Sequence, residues 1–165
     1  MTATAAITLF LPDAEATTRL GARIAPMLRP GDTLLLHGPI GAGKTHFARA
    51  VVQARLAAVG LREDVPSPTF TLVQVYQAGD VEIWHSDLFR LTHPDEVTEL
   101  GLQDAFDTAI CLVEWPEKLA DLAPADALHL RFAAQGEGRS VSISGEAARW
   151  EPLLTALVKD LRDDA

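Results

Sequence analysis

The segment Thr33 to Leu56, TLLLHGPIGAGKTHFARAVVQARL, limits the folds open to this chain more than any other. Gly38-Pro39-Ile40-Gly41-Ala42-Gly43-Lys44-Thr45 fits G-x-x-x-x-G-K-[ST] at every fixed position. The residues before it, Thr33-Leu34-Leu35-Leu36-His37, read as a buried strand. Those after it, with Phe47, Ala48, Val51, Val52, Ala54 and Leu56, continue a helix with an apolar face. Strand, glycine loop and helix in that order are the context the motif requires.

The loop's composition points to what it holds. A phosphate chain needs many donors on a tight concave surface, and backbone N–H groups supply them only where side chains stay out of the way. Gly38, Gly41 and Gly43 tolerate positive φ and carry no Cβ. Pro39 has no N–H to give, so the cradle falls to Ile40, Gly41, Ala42, Gly43, Lys44 and Thr45. A helix starting near Gly43 adds its unpaired N–H groups and the positive end of its dipole. Lys44 can reach the β- and γ-phosphates, and the Thr45 hydroxyl can bind Mg²⁺. A nucleoside triphosphate with Mg²⁺ is the expected ligand.

A metal on the phosphates needs holding from a second side, usually by an acid at the end of a buried strand. In AICLVEW, the apolar run Ile110 to Val113 leads straight into Glu114. If that strand neighbours the loop's strand, Glu114 emerges beside Thr45, where it can contact Mg²⁺ or orient the attacking water. In WHSDLFRL, Asp87 stands at another strand end, as a second metal acid, a base or a chance occupant. His85 reads more readily as a packed or surface histidine than as a functional one. The five histidines show no metal-ligand spacing. In VPSPTFTL, Pro66 and Pro68 stiffen the chain around Ser67 and lead into Thr69. That loop can sense the γ-phosphate, as switch segments do, or simply connect two elements. Trp115 can pack near the site or fill the core.

The remaining pattern supplies an α/β frame. Ile7–Leu11 reads as a strand, and Asp13 is placed to cap a helix running to about Leu28. Thr69–Tyr76 and Val81–Asp87 read as an antiparallel hairpin across Gln77-Ala78-Gly79-Asp80. Short helices follow over Pro94–Leu100, before Gly101, and over Pro116–Leu122, with a strand over Ala109–Trp115 between them. Leu128–Phe132 and Ser140–Ser144 read as strands around Gly136-Glu137-Gly138. An amphipathic helix over Glu146–Leu161 carries Leu153, Leu154, Leu157 and Leu161. The expectation is a single P-loop NTPase domain over residues 1–165. Its sheet is mixed and mostly parallel, with an antiparallel hairpin and flanking helices.

Charge narrows the partners. The chain carries a net charge of −9 and three lysines, Lys44, Lys118 and Lys159. Its arginines are scattered singly, with no basic stripe, so a nucleic acid would be gripped by something else. The one cysteine, Cys111, forms no internal disulfide. No apolar stretch has the length of a membrane span, and the N-terminus lacks a basic leader. A cytoplasmic protein that engages no membrane is the expectation.

Five segments occur in order: GPIGAGKTHFARAVVQ, VPSPTFTLVQVY, HSDLFRL, ELGLQDAF and LVEWPEKL. From about Leu11 to Ser144 the chain resembles the bacterial TsaE family, also called YjeE. The resemblance implies a small ATPase required for threonylcarbamoyl modification of the tRNA adenosine just 3′ of the anticodon. It implies TsaD and TsaB as partners, with tRNA reached only through them. Lys44 and Thr45 then match the phosphate and Mg²⁺ residues, Glu114 the metal acid, and Asp87 the functional aspartate of H-x-D-L. Ser67 and Thr69 match a switch-like loop, and Trp115 a tryptophan tied to function. Asp13, His46 and the Glu137–Arg139 turn fall where the family approaches the nucleotide. Pro39-Ile40 replaces the more usual Asp-Leu, His46 a common Thr, and Phe89 a common Tyr.

Two rivals share the loop. A small-molecule kinase would pass the γ-phosphate to an acceptor rather than water. Such enzymes usually need extra cations and a lid, whereas Arg62 and Arg90 stand alone here. A nucleotide-sensing module would bind without useful turnover.

Overall fold

The computed structural model of the chain describes residues 3–67 and 72–163, the side chains of 161–163 excepted. The chain begins with strand β1 (Thr4–Leu11) and helix α1 (Ala14–Ile24), which runs on as a 3-10 turn, Ala25–Met27. Strand β2 (Thr33–His37) then feeds the glycine loop and helix α2 (Lys44–Ala58). The hairpin β3 (Val73–Ala78) and β4 (Val81–Asp87) leads to two short helices, α3 (Asp95–Leu100) and α4 (Leu102–Thr108). Strand β5 (Ile110–Glu114), a 3-10 segment Pro116–Leu122, strands β6 (Leu128–Gln135) and β7 (Gly138–Glu146), and helix α5 (Ala147–Asp163) complete the chain.

All seven strands join one sheet in the order β1-β7-β6-β2-β5-β4-β3. Its centre is parallel: β2 pairs with β5 and β6, and β4 pairs with β5. Both flanks are antiparallel, through β3–β4 on one side and β6–β7–β1 on the other. The sheet is therefore mixed, as expected, with a second antiparallel flank beyond the one hairpin the sequence suggests. The central strands TLLLH and ICLVE are apolar runs because helices cover both their faces.

Alternation along those strands sorts side chains into two cores. Leu34, Leu36, Ile110 and Leu112 pack with Phe47, Val51 and Leu20, on the side of α1 and α2. Leu35, Cys111 and Val113 pack with Val97, Leu102 and Phe106, on the side of α3 and α4. Counting on by two from Leu112 puts Glu114 on the α2 side. Counting on from Ile83, which belongs to the first core, puts His85 and Asp87 on that side too. The register sets Asp87 beside Glu114. Parity and register alone gather three polar side chains under the start of α2.

Several boundaries differ from the sequence reading. The α-helix from Asp13 stops at Ile24, because Pro26 cannot donate to an α ladder, and a 3-10 turn takes over. The first hairpin strand runs through Gln77 and Ala78, leaving Gly79-Asp80 as the turn, with Gly79 at φ +65°. Its expected start at Thr69 lies outside the described residues. Pro116–Leu122 is 3-10 rather than α, interrupted at Ala120 with φ 52°. Helix α4, unread in the sequence, begins directly after Gly101, whose φ of 84° ends α3. Strands β6 and β7 are longer than the stretches that signalled them, and α5 starts at Ala147. No helix among the described residues is long and apolar enough to cross a membrane.

Candidate active site at the glycine loop

The loop leaves β2 at His37 and turns back at the start of α2. Gly38, Gly41 and Gly43 have φ of 141°, 79° and 106°. Among the described residues and beyond its chain neighbours, no atom lies within 4 Å of a Cβ added at Gly41, and at Gly43 the nearest is 4.0 Å away, so both border open space. That pair of features, backbone only glycine adopts readily and emptiness beside it, is what a bound phosphate chain requires. Ile40, at the tip, is 78% exposed. Ala42 faces the other way: its side chain is buried in the core, and its N–H donates to Pro39 O at 3.2 Å.

Lys44 is buried, with Nζ donating to Gly38 O at 2.5 Å and lying 3.4 Å from the centroid of the Trp115 ring. Burial lowers its pKa from the ordinary lysine value, and Glu114, Glu117 and Asp87 pull the other way. Thr45 Oγ1 donates to Glu114 Oε1 at 2.6 Å. The second oxygen of Glu114 lies 2.7 Å from His85 Nε2, and both side chains are buried. Asp87, on the adjoining strand, accepts from Phe89 N at 3.0 Å. Trp115 follows Glu114 in the left-handed region (φ 59°) and packs at a tilt against Phe89, ring centroids 4.9 Å apart.

These groups surround a cavity of about 510 Å³ lined by Gly41, Gly43, Lys44, Thr45, Asp87 and Glu114, with Ile40, Phe89 and Trp115 at its apolar edge. Trp115 serves both readings, packing on the second core while forming a site wall. Arg49, one helical turn beyond Thr45, also lines the cavity. Its Nε is buried without a hydrogen-bond partner among the described residues. The sequence reading missed this arginine, although spacing four from Thr45 signals the shared face.

A second cavity of about 250 Å³ lies on the loop's other side and shares Gly41, Gly43 and His46 with the first. Asp13, Glu137 and Arg139 line it. Asp13 caps α1 by accepting from Ala16 N at 2.8 Å. Arg139 reaches across from β7 to donate to Gly41 O at 2.9 Å. His46 Nε2 sits 2.7 Å from Thr18 Oγ1 and 3.1 Å from Ala14 O, tying α2 to α1. Ser67 is half-buried and outside the lining of both cavities. Thr69 lies outside the described residues. Of the expected switch loop, only the Ser67 half is described, and it is not brought to either cavity wall.

His85, read from sequence as a packed histidine, is fully buried but packed onto Glu114. The H-x-D spacing was the available signal, since residues two apart on a strand share a face.

A glycine loop between a central parallel strand and its helix, answered by an acid on the neighbouring strand, is the construction of the P-loop α/β proteins. Within that class, residues 11–141 match the family described as Threonylcarbamoyl adenosine biosynthesis protein TsaE, and the chain belongs to that family. Its relatives include tRNA threonylcarbamoyladenosine biosynthesis proteins TsaE. That of Haemophilus influenzae is 31% identical over 91% of this chain and 96% of its own length. That of Bacillus subtilis is 32% identical over 87% and 88%. That of Rickettsia felis is 39% identical over 69% of this chain, which spans 65% of that longer relative. The crystal structure of Bacillus subtilis YdiB superposes with a TM-score of 0.75 at 25% identity, covering 97% of both chains.

Proposed function

We propose that this chain binds and hydrolyses ATP with Mg²⁺ in support of tRNA threonylcarbamoylation. The observation that carries the reading is the 2.6 Å bond from Thr45 to Glu114 in the cavity that also holds Lys44. A hydroxyl and a carboxylate meeting beside an open glycine cradle are oxygen donors suited to a small hard cation. Thr45 and Glu114 would hold it. Magnesium held there would supply positive charge to offset that of the phosphates.

The chain's own groups divide the remaining work. Gly41, Gly43 and the first N–H groups of α2 receive the phosphate oxygens. Lys44 leaves Gly38 O and Trp115 for the anionic phosphates, where its charge is better compensated than against an aromatic face. Asp87, beside Glu114 at the cavity wall, orients the attacking water. The cavity behind Gly41 takes the rest of the nucleotide among Asp13, His46, Glu137 and Arg139.

The net charge of −9 favours an accessory role in which TsaD and TsaB hold the tRNA. ATP binding and hydrolysis then reset that complex between rounds. Reconstituted threonylcarbamoylation with TsaD and TsaB, run with and without this chain, tests the reading alongside phosphate release. Many turnovers without the chain, or with Lys44→Ala in its place, would refute it. ADP formed only with an added small-molecule acceptor would make it a kinase instead.

A further inference from the structure

We infer that His85 is a positioning residue that fixes the Glu114 carboxylate for the metal. This deepens the reading above and rests on it. His85 lies on β4 and Glu114 ends β5, the parallel neighbour. The imidazole Nε2 is 2.7 Å from Glu114 Oε2, while Thr45 Oγ1 donates to Oε1 at 2.6 Å. An ionised carboxylate only accepts, so the imidazole donates from Nε2. Glu114 is thus held at both oxygens, from the sheet by His85 and from the loop by Thr45. A cation drawing Oε1 away from Thr45 would still find the carboxylate anchored through Oε2.

Among the described residues, Glu114 is the hydrogen-bond partner of the His85 ring. His85 is fully buried and forms no part of the lining of either cavity described above. Its Nδ1 is buried with no hydrogen-bond partner among the described residues. Phenylalanine or leucine would fill a central-strand position without such an orphan. The contact with Glu114 is what the imidazole contributes that an apolar side chain does not. Carboxylates that hold metals are themselves oriented by such outer partners, whose loss commonly weakens metal binding by about 10- to 100-fold.

The test compares His85→Phe, which keeps a ring but no donor, with His85→Gln, whose amide N–H can reach Glu114. A fluorescent ADP analogue is titrated in EDTA and then against magnesium, and steady-state phosphate release is followed in parallel. We expect metal-free affinity within about twofold of the parent for both variants, as the cradle is untouched. The magnesium concentration for half-maximal binding should rise about 10- to 100-fold in His85→Phe and recover largely in His85→Gln. A parental magnesium dependence in His85→Phe overturns the inference while leaving the proposed function intact. A parent protein with no magnesium dependence overturns both. Should His85→Phe fail to fold, ¹⁵N NMR of the unmodified protein decides. A proton on His85 Nε2 supports the inference, and a bare Nε2 refutes it.

Discussion

An alanine at Gly38 would place its Cβ 2.7 Å from the carbonyl oxygen of Phe132 and 3.3 Å from that residue's Cβ. The obstacle is backbone of β6, which pairs in parallel with β2 up to His37 and cannot retreat without breaking the ladder. Reaching ordinary contact at 3.4 Å needs a shift of about 0.7 Å at the loop entrance. The φ of +141° adds backbone strain. An alanine at Gly41 meets nothing within 4 Å and suffers only the strain of its φ of +79°. Strain of this kind costs about 1–3 kcal/mol. Overpacking costs about 1–3 kcal/mol more, and losing glycine's freedom in the unfolded chain returns about 0.4–1 kcal/mol. Gly38→Ala should therefore cost about 3 kcal/mol and Gly41→Ala about 1 kcal/mol. For a chain of this length, thermal midpoints should fall by about 6–12 °C and about 2–4 °C respectively. Circular dichroism melts without nucleotide read both. Equal losses, or a larger loss at Gly41, would show that the approach of Phe132 does not govern the loop entrance.

Other perturbations separate function from stability. Burial holds the Lys44 pKa below the lysine range, so folding carries a penalty for its charge at every pH below that lowered value. Lys44→Met should abolish nucleotide binding and yet raise the urea midpoint; a clear drop would contradict this. Burial, then Arg131, His129 and Lys44, lower the pKa of His37 from 6.5 to about 4. The unfolded chain then binds the proton first, so stability declines as pH falls from 6.5 towards 4, by up to about 2–3 kcal/mol. His37→Gln should flatten that decline, and an unchanged slope in denaturation curves at pH 7 and 5 would refute the assignment. Arg49→Met removes a buried nitrogen that has no hydrogen-bond partner among the described residues. It should leave the thermal midpoint unchanged while slowing phosphate release at least about tenfold, which single-turnover measurements can check. Nucleotide should draw Lys44 from the face of Trp115 and change that residue's emission, and a response that survives Trp115→Phe would belong elsewhere.

The parts of the fold legible in the sequence are those where burial enforces a simple pattern. TLLLH and ICLVE could be recognised as central strands because both faces are covered, leaving no polar position to confuse the period. Asp13 could be recognised as a cap because its carboxylate serves a donor three residues away, Ala16 N. Helix α4 was obscured because Gly101, which stops α3, also starts α4, so one turn signal hides two helices. The second antiparallel flank was obscured for a different reason. The pairing of β1 with β7 joins residues such as Ile7 and Ile143, far apart in sequence, and no local signal specifies such a partner.

The candidate site divides along the same line. Lys44 and Thr45 are set by a contiguous motif, and Glu114 by an apolar run ending in an acid. What the sequence did not supply was which strands are neighbours and in what register. Once β4 and β5 are in register, alternation alone puts His85, Asp87 and Glu114 on the side of α2, and Arg49 meets them from the helix. The same geometry distinguishes the two acids. Glu114 is held between the loop's threonine and a buried imidazole, whereas Asp87 is bonded to the backbone of its own following loop at Phe89 N. An acid braced from both sides suits a fixed charge on a metal, and its neighbour at the end of β4, bonded to the chain just beyond it, suits the water. Substituting Glu114 should therefore act first on magnesium dependence, and substituting Asp87 first on turnover.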